Sequence, residues 1–127
     1  MTGDEDQLKQ VFINVIKNAC EAMSEREKKE LSINISSDQN NFIVEISDTG
    51  NGIPKENHGK VFTPFFTTKN IGKGTGLGLA ISYGIIKMHK GNITFTTEIG
   101  KGTTFKITLP KHQTYQTDVT FEGAKAL

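Results

Sequence analysis

The sequence has 127 residues and a mass of 14.0 kDa, which is the size of one domain with a single core. Fifteen Lys and Arg against 14 Asp and Glu leave a net charge of +1, so we expect no general nucleic-acid binding. The single cysteine, Cys20, excludes an internal disulfide and fits a reducing compartment. No apolar run approaches the roughly 20 residues of a membrane helix, and no signal-peptide pattern opens the chain. We therefore expect a cytoplasmic domain.

The first half of the chain predicts one helix followed by a β-hairpin. Apolar residues recur at spacings of three and four from Leu8 to Met23, which predicts an amphipathic helix over residues 4–25. Alternating apolar and polar residues over 31–36 and 42–47 predict two half-buried strands. A short polar turn separates these strands, so they can form a hairpin.

The second half begins with a long irregular segment. Residues 48–77 are rich in glycine, proline and polar side chains, with one short helical piece at 56–62. Such a long segment in a compact domain is more often functional than idle. A second helix follows at 77–89; it is apolar on most sides, and we expect it to be well buried.

The chain ends with two more alternating strands, at 92–99 and 103–109, joined by a glycine-containing hairpin turn. The order of elements predicts an α/β (α+β) two-layer sandwich with a mixed, mainly antiparallel sheet and helices on one face. Residues 1–112 form the predicted domain. Residues 113–127 form a polar tail, with one short candidate strand at 118–121.

Glycines are concentrated in the irregular segment. The chain has 13, whereas average usage of about 7% would give roughly 9. The loop at 72–78 matches neither the P-loop nor the dinucleotide-binding pattern. Its alternating glycines nevertheless let backbone N–H groups gather around an anion at a helix N-terminus, and Lys69 and Lys73 add positive charge. A flexible surface loop is the alternative.

Polar residues next to the apolar patterns form a second group of candidates. Asp48 ends a strand, where its carboxylate can accept a hydrogen bond from an amino group, although an aspartate before a turn is also ordinary. Asn14, Asn18 and Glu21 lie along one stripe of the first helix. An asparagine oxygen can bind Mg²⁺, which takes few protein ligands. The alternative is that these residues are merely polar edge residues.

Taken in chain order, these segments resemble the ATP-binding catalytic domain of bacterial sensor histidine kinases. The wider relatives are the gyrase, heat-shock-90 and MutL type ATPases, which share the Bergerat fold. The resemblance spans residues 4–110. The matching segments are the N box at 6–19, the first glycine box at 48–53, the F box at 62–69, the second glycine box at 74–79 and the last glycine box at 102–105.

The resemblance implies a role for each residue of the adenine and metal sites. Asp48 would bind the adenine amino group, and Thr103 would support that pocket through water. Gly50 and Gly52 would shape the adenine side. Asn18 would bind Mg²⁺. These expectations agree with what the residue types can do, because carboxylates and hydroxyls accept hydrogen bonds and amide oxygens bind hard cations.

The resemblance also implies a mobile lid over the phosphates. The residues expected to line the phosphates are Thr75, Gly76, Leu77 and Gly78. Lys69 and Lys73 are the candidates for phosphate charge, since Glu21 stands where the family often has a lysine or arginine. The residues expected to anchor the lid in the core are Phe62, Phe65 and Phe66.

Asn14 distinguishes two reactions within this resemblance, ATP hydrolysis and phosphate transfer to a protein. Relatives that hydrolyse ATP carry a glutamate at the matching place, and asparagine cannot accept a proton at neutral pH. The γ-phosphate is then expected to pass to a histidine on a separate dimerisation and phosphoacceptor domain, with a response regulator downstream. We interpret His58, His89 and His112 as structural or surface residues, because none lies in a segment that resembles the phosphoacceptor motif.

Two other functions remain open at this point. One is a serine kinase on the same fold, of the anti-sigma-factor type. The other is a non-enzymatic docking domain for a regulatory or inhibitor protein. We expect no direct membrane contact from this domain, although the parent kinase can be membrane-anchored. The family domain usually begins with a strand before the N box, and only residues 1–3 precede the first helix, so we expect an exposed sheet edge.

Overall fold

The computed structural model describes residues 5–64 and 78–111. Every helix and strand predicted within these ranges is present, with bounds that differ by a few residues. The predicted tail at 113–127, with its candidate strand at 118–121, lies outside the described residues. In chain order the elements are α1 (Glu5–Ala22), β1 (Leu31–Ser37), β2 (Asn41–Asp48), a 3-10 helix (Lys55–Lys60), α2 (Gly78–Met88), β3 (Asn92–Glu98) and β4 (Gly102–Pro110).

The four strands form one antiparallel sheet in the order β1-β2-β4-β3. Both predicted hairpins are present, as β1–β2 and β3–β4. The two hairpins join through β4, which pairs with β2. Asp48 at the end of β2 lies directly opposite Thr103 in this register. The predicted fold class is confirmed, with antiparallel pairing throughout the described strands.

The two helices pack against each other and cover one face of the sheet, α1 over β2 and α2 beside β3. Apolar residues at alternate positions of the strands meet the apolar stripe of each helix, as the sequence patterns predict. A single core results. Its fully buried members with the largest side chains are Phe105, Ile46, Ile86, Ile107, Val11 and Val15.

The prediction that the first strand is half-buried was wrong. All seven residues of β1 are exposed, and the exposed fraction reaches 71% at Ile35. The reason is position: β1 is the edge strand of the sheet, and α1 lies over β2 instead. The alternation divides apolar and polar residues between the two faces of β1, but neither face is covered by the described residues.

The second helix is less buried than its composition suggests. Only Ser82, Ile85 and Ile86 are buried in α2, whereas Met88 is 70% exposed and Ile81 48% exposed. The helix contacts α1 and β3 along one side. Leu79 is partly buried against the core, whereas Ile81, Tyr83 and Met88 are exposed in the described structure. No helix among residues 5–64 and 78–111 is long and apolar enough to cross a membrane.

Candidate functional site

Asp48 is a buried carboxylate at the end of β2, with 6% of its surface exposed. Its Oδ1 accepts hydrogen bonds from the backbone N–H groups of Gly50, at 2.8 Å, and Thr103, at 3.3 Å. No described residue hydrogen-bonds to its Oδ2. One oxygen of the carboxylate is thus held by the backbone, and the other remains available to a ligand that donates hydrogen bonds.

Burial raises the pKa of the Asp48 carboxyl above 3.8, because the charged form loses hydration. The hydrogen bonds from Gly50 and Thr103 act in the opposite direction, and they partly offset the burial. A buried carboxylate is costly unless it is hydrogen-bonded. Asp48 is therefore held in place by backbone donors at the same time as it keeps a strong acceptor for a partner from outside.

The loop after Asp48 folds tightly against two neighbouring elements. A Cβ atom at Gly50 would lie 2.7 Å from the carbonyl oxygen of Ala22 at the end of α1. Gly52 has a φ of 81°, and a Cβ there would lie 2.5 Å from the carbonyl oxygen of Glu98. Only glycine fits both places without strain. Close packing of this loop thus accounts for the two predicted glycines.

Thr103 lies between Asp48 and a second threonine that the sequence analysis missed. Thr97 of β3 pairs directly with Thr103 of β4, and the two hydroxyl oxygens are 2.8 Å apart. The Thr97 hydroxyl also accepts a hydrogen bond from the backbone N–H of Ile53 at 2.9 Å. Asp48, Thr103 and Thr97 therefore form one row across three neighbouring strands. The register of the sheet alone brings them together.

An open depression of about 310 Å³ lies at this end of the sheet. Asp48, Thr97, Thr103 and the β3–β4 turn line it. No residue of α1 is among the lining residues. The depression therefore includes the predicted adenine-binding side chains, but it does not by itself join them to the asparagines of the N box.

Asn14 connects α1 to the first turn of α2. Its Nδ2 donates to the carbonyl oxygen of Gly78 at 3.2 Å and lies 3.3 Å from the hydroxyl of Ser82, while its Oδ1 accepts from Gln10 at 2.8 Å. Gly78 was predicted from the second glycine box, and the structure brings it to Asn14. Ser82, which is fully buried, was not predicted; it lies one helical turn beyond Gly78 and donates back to it.

Asn18 lies one turn after Asn14 on α1 and is half-buried. Its side chain makes no hydrogen bond to any residue in the part of the chain that the structure describes. An amide oxygen that is not engaged elsewhere can bind Mg²⁺, so the side chain fits the predicted metal ligand. Among residues 5–64 and 78–111, no group of three His, Cys, Asp or Glu side chains could hold a metal ion.

The described histidines have structural contacts. The Nε2 atom of His58 lies 2.9 Å from the carbonyl oxygen of Ile53, and its ring packs edge-on against Phe95. His89 is 5% exposed, with Nδ1 2.8 Å from the carbonyl oxygen of Ile85. These contacts agree with the interpretation of both as structural residues. His112 lies outside the described residues.

Phe62 packs into the core, where its ring contacts Tyr83, Phe95 and Phe105. This placement agrees with the expected anchoring role. The other predicted lid residues fall outside the described part of the chain, and their roles stay predictions. They are Phe65, Phe66, Lys69, Lys73, Thr75, Gly76 and Leu77.

Comparison with known proteins gives one matching family and a set of similar kinases. Residues 3–113 match the family model described as "Histidine kinase-, DNA gyrase B-, and HSP90-like ATPase". Sporulation kinase C of Bacillus subtilis (strain 168) is 43% identical over 110 residues, which cover 87% of this chain and 25% of that protein. Sensor kinase CckA of Brucella abortus (strain 2308) is 43% identical over 122 residues, covering 86% of this chain and 13% of that protein. The chain thus spans a quarter or less of these relatives.

Solved structures show the same similarity. The nucleotide-free catalytic domain of histidine kinase ThkA superposes with a TM-score of 0.73 at 37% identity, covering 86% of this chain and 70% of that one. A mycobacterial sensor histidine kinase, MprB, superposes with a TM-score of 0.74 at 28% identity, covering 85% of this chain and 72% of that one. The helices and the antiparallel sheet described above are therefore those of a histidine kinase catalytic domain.

Proposed function

Because this chain belongs to the family of histidine kinase-, DNA gyrase B- and HSP90-like ATPases, we propose that it binds Mg-ATP and donates the γ-phosphate to a histidine on a separate domain. The chain carries a kinase catalytic ATPase domain of the type found in sensor histidine kinases.

The observation that carries the proposal is the half-engaged carboxylate of Asp48. Its Oδ1 is held by two backbone N–H groups, and no described residue occupies its Oδ2. A buried acceptor of this kind favours a ligand with an amino group, because leaving it without a donor costs free energy. The exocyclic amino group of adenine meets this requirement.

The phosphate end of the proposed site begins at α1. Asn18 would hold Mg²⁺, which supplies charge neutralisation for the phosphates when bound. Gly78 opens α2, where free backbone N–H groups favour an anion. Thr75, Gly76 and Leu77 are proposed to line the phosphates, with Lys69 and Lys73 adding charge.

Asn14 would leave water unactivated in this site. Its amide cannot accept a proton, and its Nδ2 already donates to the carbonyl oxygen of Gly78. A bound nucleotide would then be positioned for a better nucleophile, and phosphoryl transfer depends mainly on positioning and charge neutralisation. His58 and His89 are engaged in structural contacts. We therefore propose that the acceptor histidine belongs to a separate dimerisation and phosphoacceptor domain, followed by a response regulator, in the cytoplasm.

Titration of the domain with ATP, with and without Mg²⁺, tests the binding step. We expect saturable binding that strengthens with Mg²⁺ and weakens strongly in Asp48→Asn. An absence of binding, or an affinity that Asp48→Asn leaves unchanged, would contradict the proposal.

Incubation with γ-labelled ATP and candidate phosphoacceptor domains tests the transfer step. Phosphohistidine is labile in acid, whereas phosphoserine survives it. Acid-labile label on the acceptor supports the histidine kinase reaction. Acid-stable label would instead support a serine kinase on the same fold.

A further inference from the structure

The hydroxyl of Thr97 lies at the meeting point of three segments. Its Oγ1 is 2.9 Å from the backbone N of Ile53, 3.1 Å from the carbonyl oxygen of Gly102 and 2.8 Å from the hydroxyl oxygen of Thr103. These contacts join the loop after β2, the start of β4 and the row of side chains that ends at Asp48. Thr97 has no part in the function proposed above, and it does not belong to any of the predicted sequence motifs.

The number of protons decides how these three contacts are made. A threonine hydroxyl has one proton to donate and two lone pairs to accept with. The Ile53 N–H donates to Thr97, whereas the Gly102 carbonyl can only accept, so it takes the Thr97 proton. The remaining lone pair of Thr97 then accepts the proton of Thr103. This is the one assignment that makes all three hydrogen bonds.

These hydrogen bonds fix the direction of the Thr103 hydroxyl. Its proton is directed at Thr97, away from Asp48, so its lone pairs are what it can offer to a ligand. Thr103 lies directly opposite Asp48 on the neighbouring strand, and side chains of such a pair share a face of the sheet. No described residue donates a hydrogen bond to Asp48 Oδ2. The edge of the site therefore offers two acceptors side by side.

We propose that Thr97 is a positioning residue that fixes the Thr103 hydroxyl as a hydrogen-bond acceptor and so favours a 6-amino purine. An amino group has two N–H bonds, one for the Asp48 carboxylate and one for Thr103, reached directly or through a water molecule. This inference rests on the proposed binding of ATP by its base at Asp48. Thr97 would not contact the nucleotide itself, but it would determine which groups the Thr103 hydroxyl can recognise.

The test compares ATP with purine riboside triphosphate, which lacks the 6-amino group, in the wild-type chain and in Thr97→Val. Valine keeps the shape of threonine and removes the hydroxyl, so Thr103 is free to turn its proton elsewhere. We expect the ratio of the two affinities to fall by about threefold to tenfold, the size of one hydrogen bond. Thr97→Ser keeps the hydroxyl and should restore the wild-type ratio.

The ratio of the two affinities distinguishes a positioning role from a purely structural one, because a general loss of order would weaken the binding of both nucleotides equally. Thr94→Val is the matched control, since Thr94 is an exposed threonine of the same strand that pairs with Lys106. Thr97→Cys replaces Thr97→Val if the valine variant does not fold, because a thiol is only a weak hydrogen-bonding group.

An unchanged ratio in folded Thr97→Val would overturn the role of Thr97 while leaving ATP binding intact. Equal affinity of the wild-type chain for the two nucleotides would also overturn it, together with the contact proposed between the amino group and Asp48. Failure of the proposed function looks different, since the wild-type chain would then bind neither nucleotide.

Discussion

The two ends of the proposed nucleotide site are built from different kinds of structure. At the base end, Asp48, Thr103 and Thr97 form one row across three paired strands. At the phosphate end, Asn14 and Asn18 project from α1, and Asn14 reaches the first turn of α2 through its side chain. The base end is therefore held by the ladder of the sheet, whereas the phosphate end depends on a contact between two helices.

This difference in construction suits the two ends to different tasks in binding. Strand pairing fixes neighbouring residues through several backbone hydrogen bonds at once, so the base end can present acceptors at constant positions. The α1–α2 contact at Asn14 depends on half-buried side-chain hydrogen bonds, which are individually modest. The arrangement suits a site that recognises the base rigidly and adjusts around the phosphates.

The largest expected effect is at the base end. Asp48→Asn should weaken ATP binding by about 10- to 100-fold, the range for a hydrogen bond to a charged group. The fold should persist, because the amide oxygen can still accept from Gly50 and Thr103. Calorimetric titration and thermal unfolding measure the two quantities separately. Asp38→Asn, which changes an exposed carboxylate at the β1–β2 turn, should leave the affinity for ATP unchanged.

At the phosphate end, Asn18→Ala should lower ATP affinity in the presence of Mg²⁺ by about tenfold, or about 1.4 kcal/mol. The affinity measured in EDTA should stay the same, because only the metal ligand is removed. Asn34→Ala on the exposed strand β1 is a suitable control. Equal losses with and without Mg²⁺ would show that Asn18 acts on the fold instead of the metal.

The contact between the helices is tested by Asn14→Asp. The carboxylate cannot donate, so it places an acceptor against the carbonyl oxygen of Gly78 and loses the hydrogen bonds of Nδ2. We expect the free energy of unfolding to fall by about 1–3 kcal/mol, measured by urea denaturation. Asn34→Asp introduces the same charge at an exposed position and should cost much less. A similar loss in both variants would contradict a specific α1–α2 contact.

The smallest expected effect is the pH dependence of the base end. Burial raises the pKa of Asp48 above 3.8, so its contribution to stability is present below that value and is lost as the pH rises through the raised pKa. ATP affinity should change in the opposite direction, because binding needs the carboxylate. Unfolding and titration in the acid range just above 3.8, compared with Asp48→Asn, measure both trends. Identical pH profiles for the two proteins would exclude Asp48 as their source.

Local patterns predicted the elements, and they supplied most of the residues of the proposed site. The period of the apolar residues located both helices, and alternation located four strands, because each pattern depends only on which side chains share a face. The side-chain chemistry of Asp48, Asn14 and Asn18 was also readable, since each stands next to a regular pattern. The two glycines after Asp48 were found as a loop signal, and the structure explains them by close packing.

Burial could not be predicted in the same way. The residues of β1 alternate as regularly as those of β2, yet β1 lies at the sheet edge and its residues are exposed. Composition likewise overestimated the burial of α2, where Met88 is 70% exposed. Alternation and hydropathy describe one element, whereas burial depends on which other element lies above it.

The sequence by itself determined the elements, their order, the glycine-rich loops and the residue types that suit a nucleotide. The tertiary structure alone decided which of these residues meet. Asp48 and Thr103 stand 55 residues apart in the chain, and only the register of β2 against β4 places them opposite each other. In the same way, Asn14 meets Gly78 across 64 residues of chain. Pairing and packing join residues far apart in the sequence, and no local pattern specifies them.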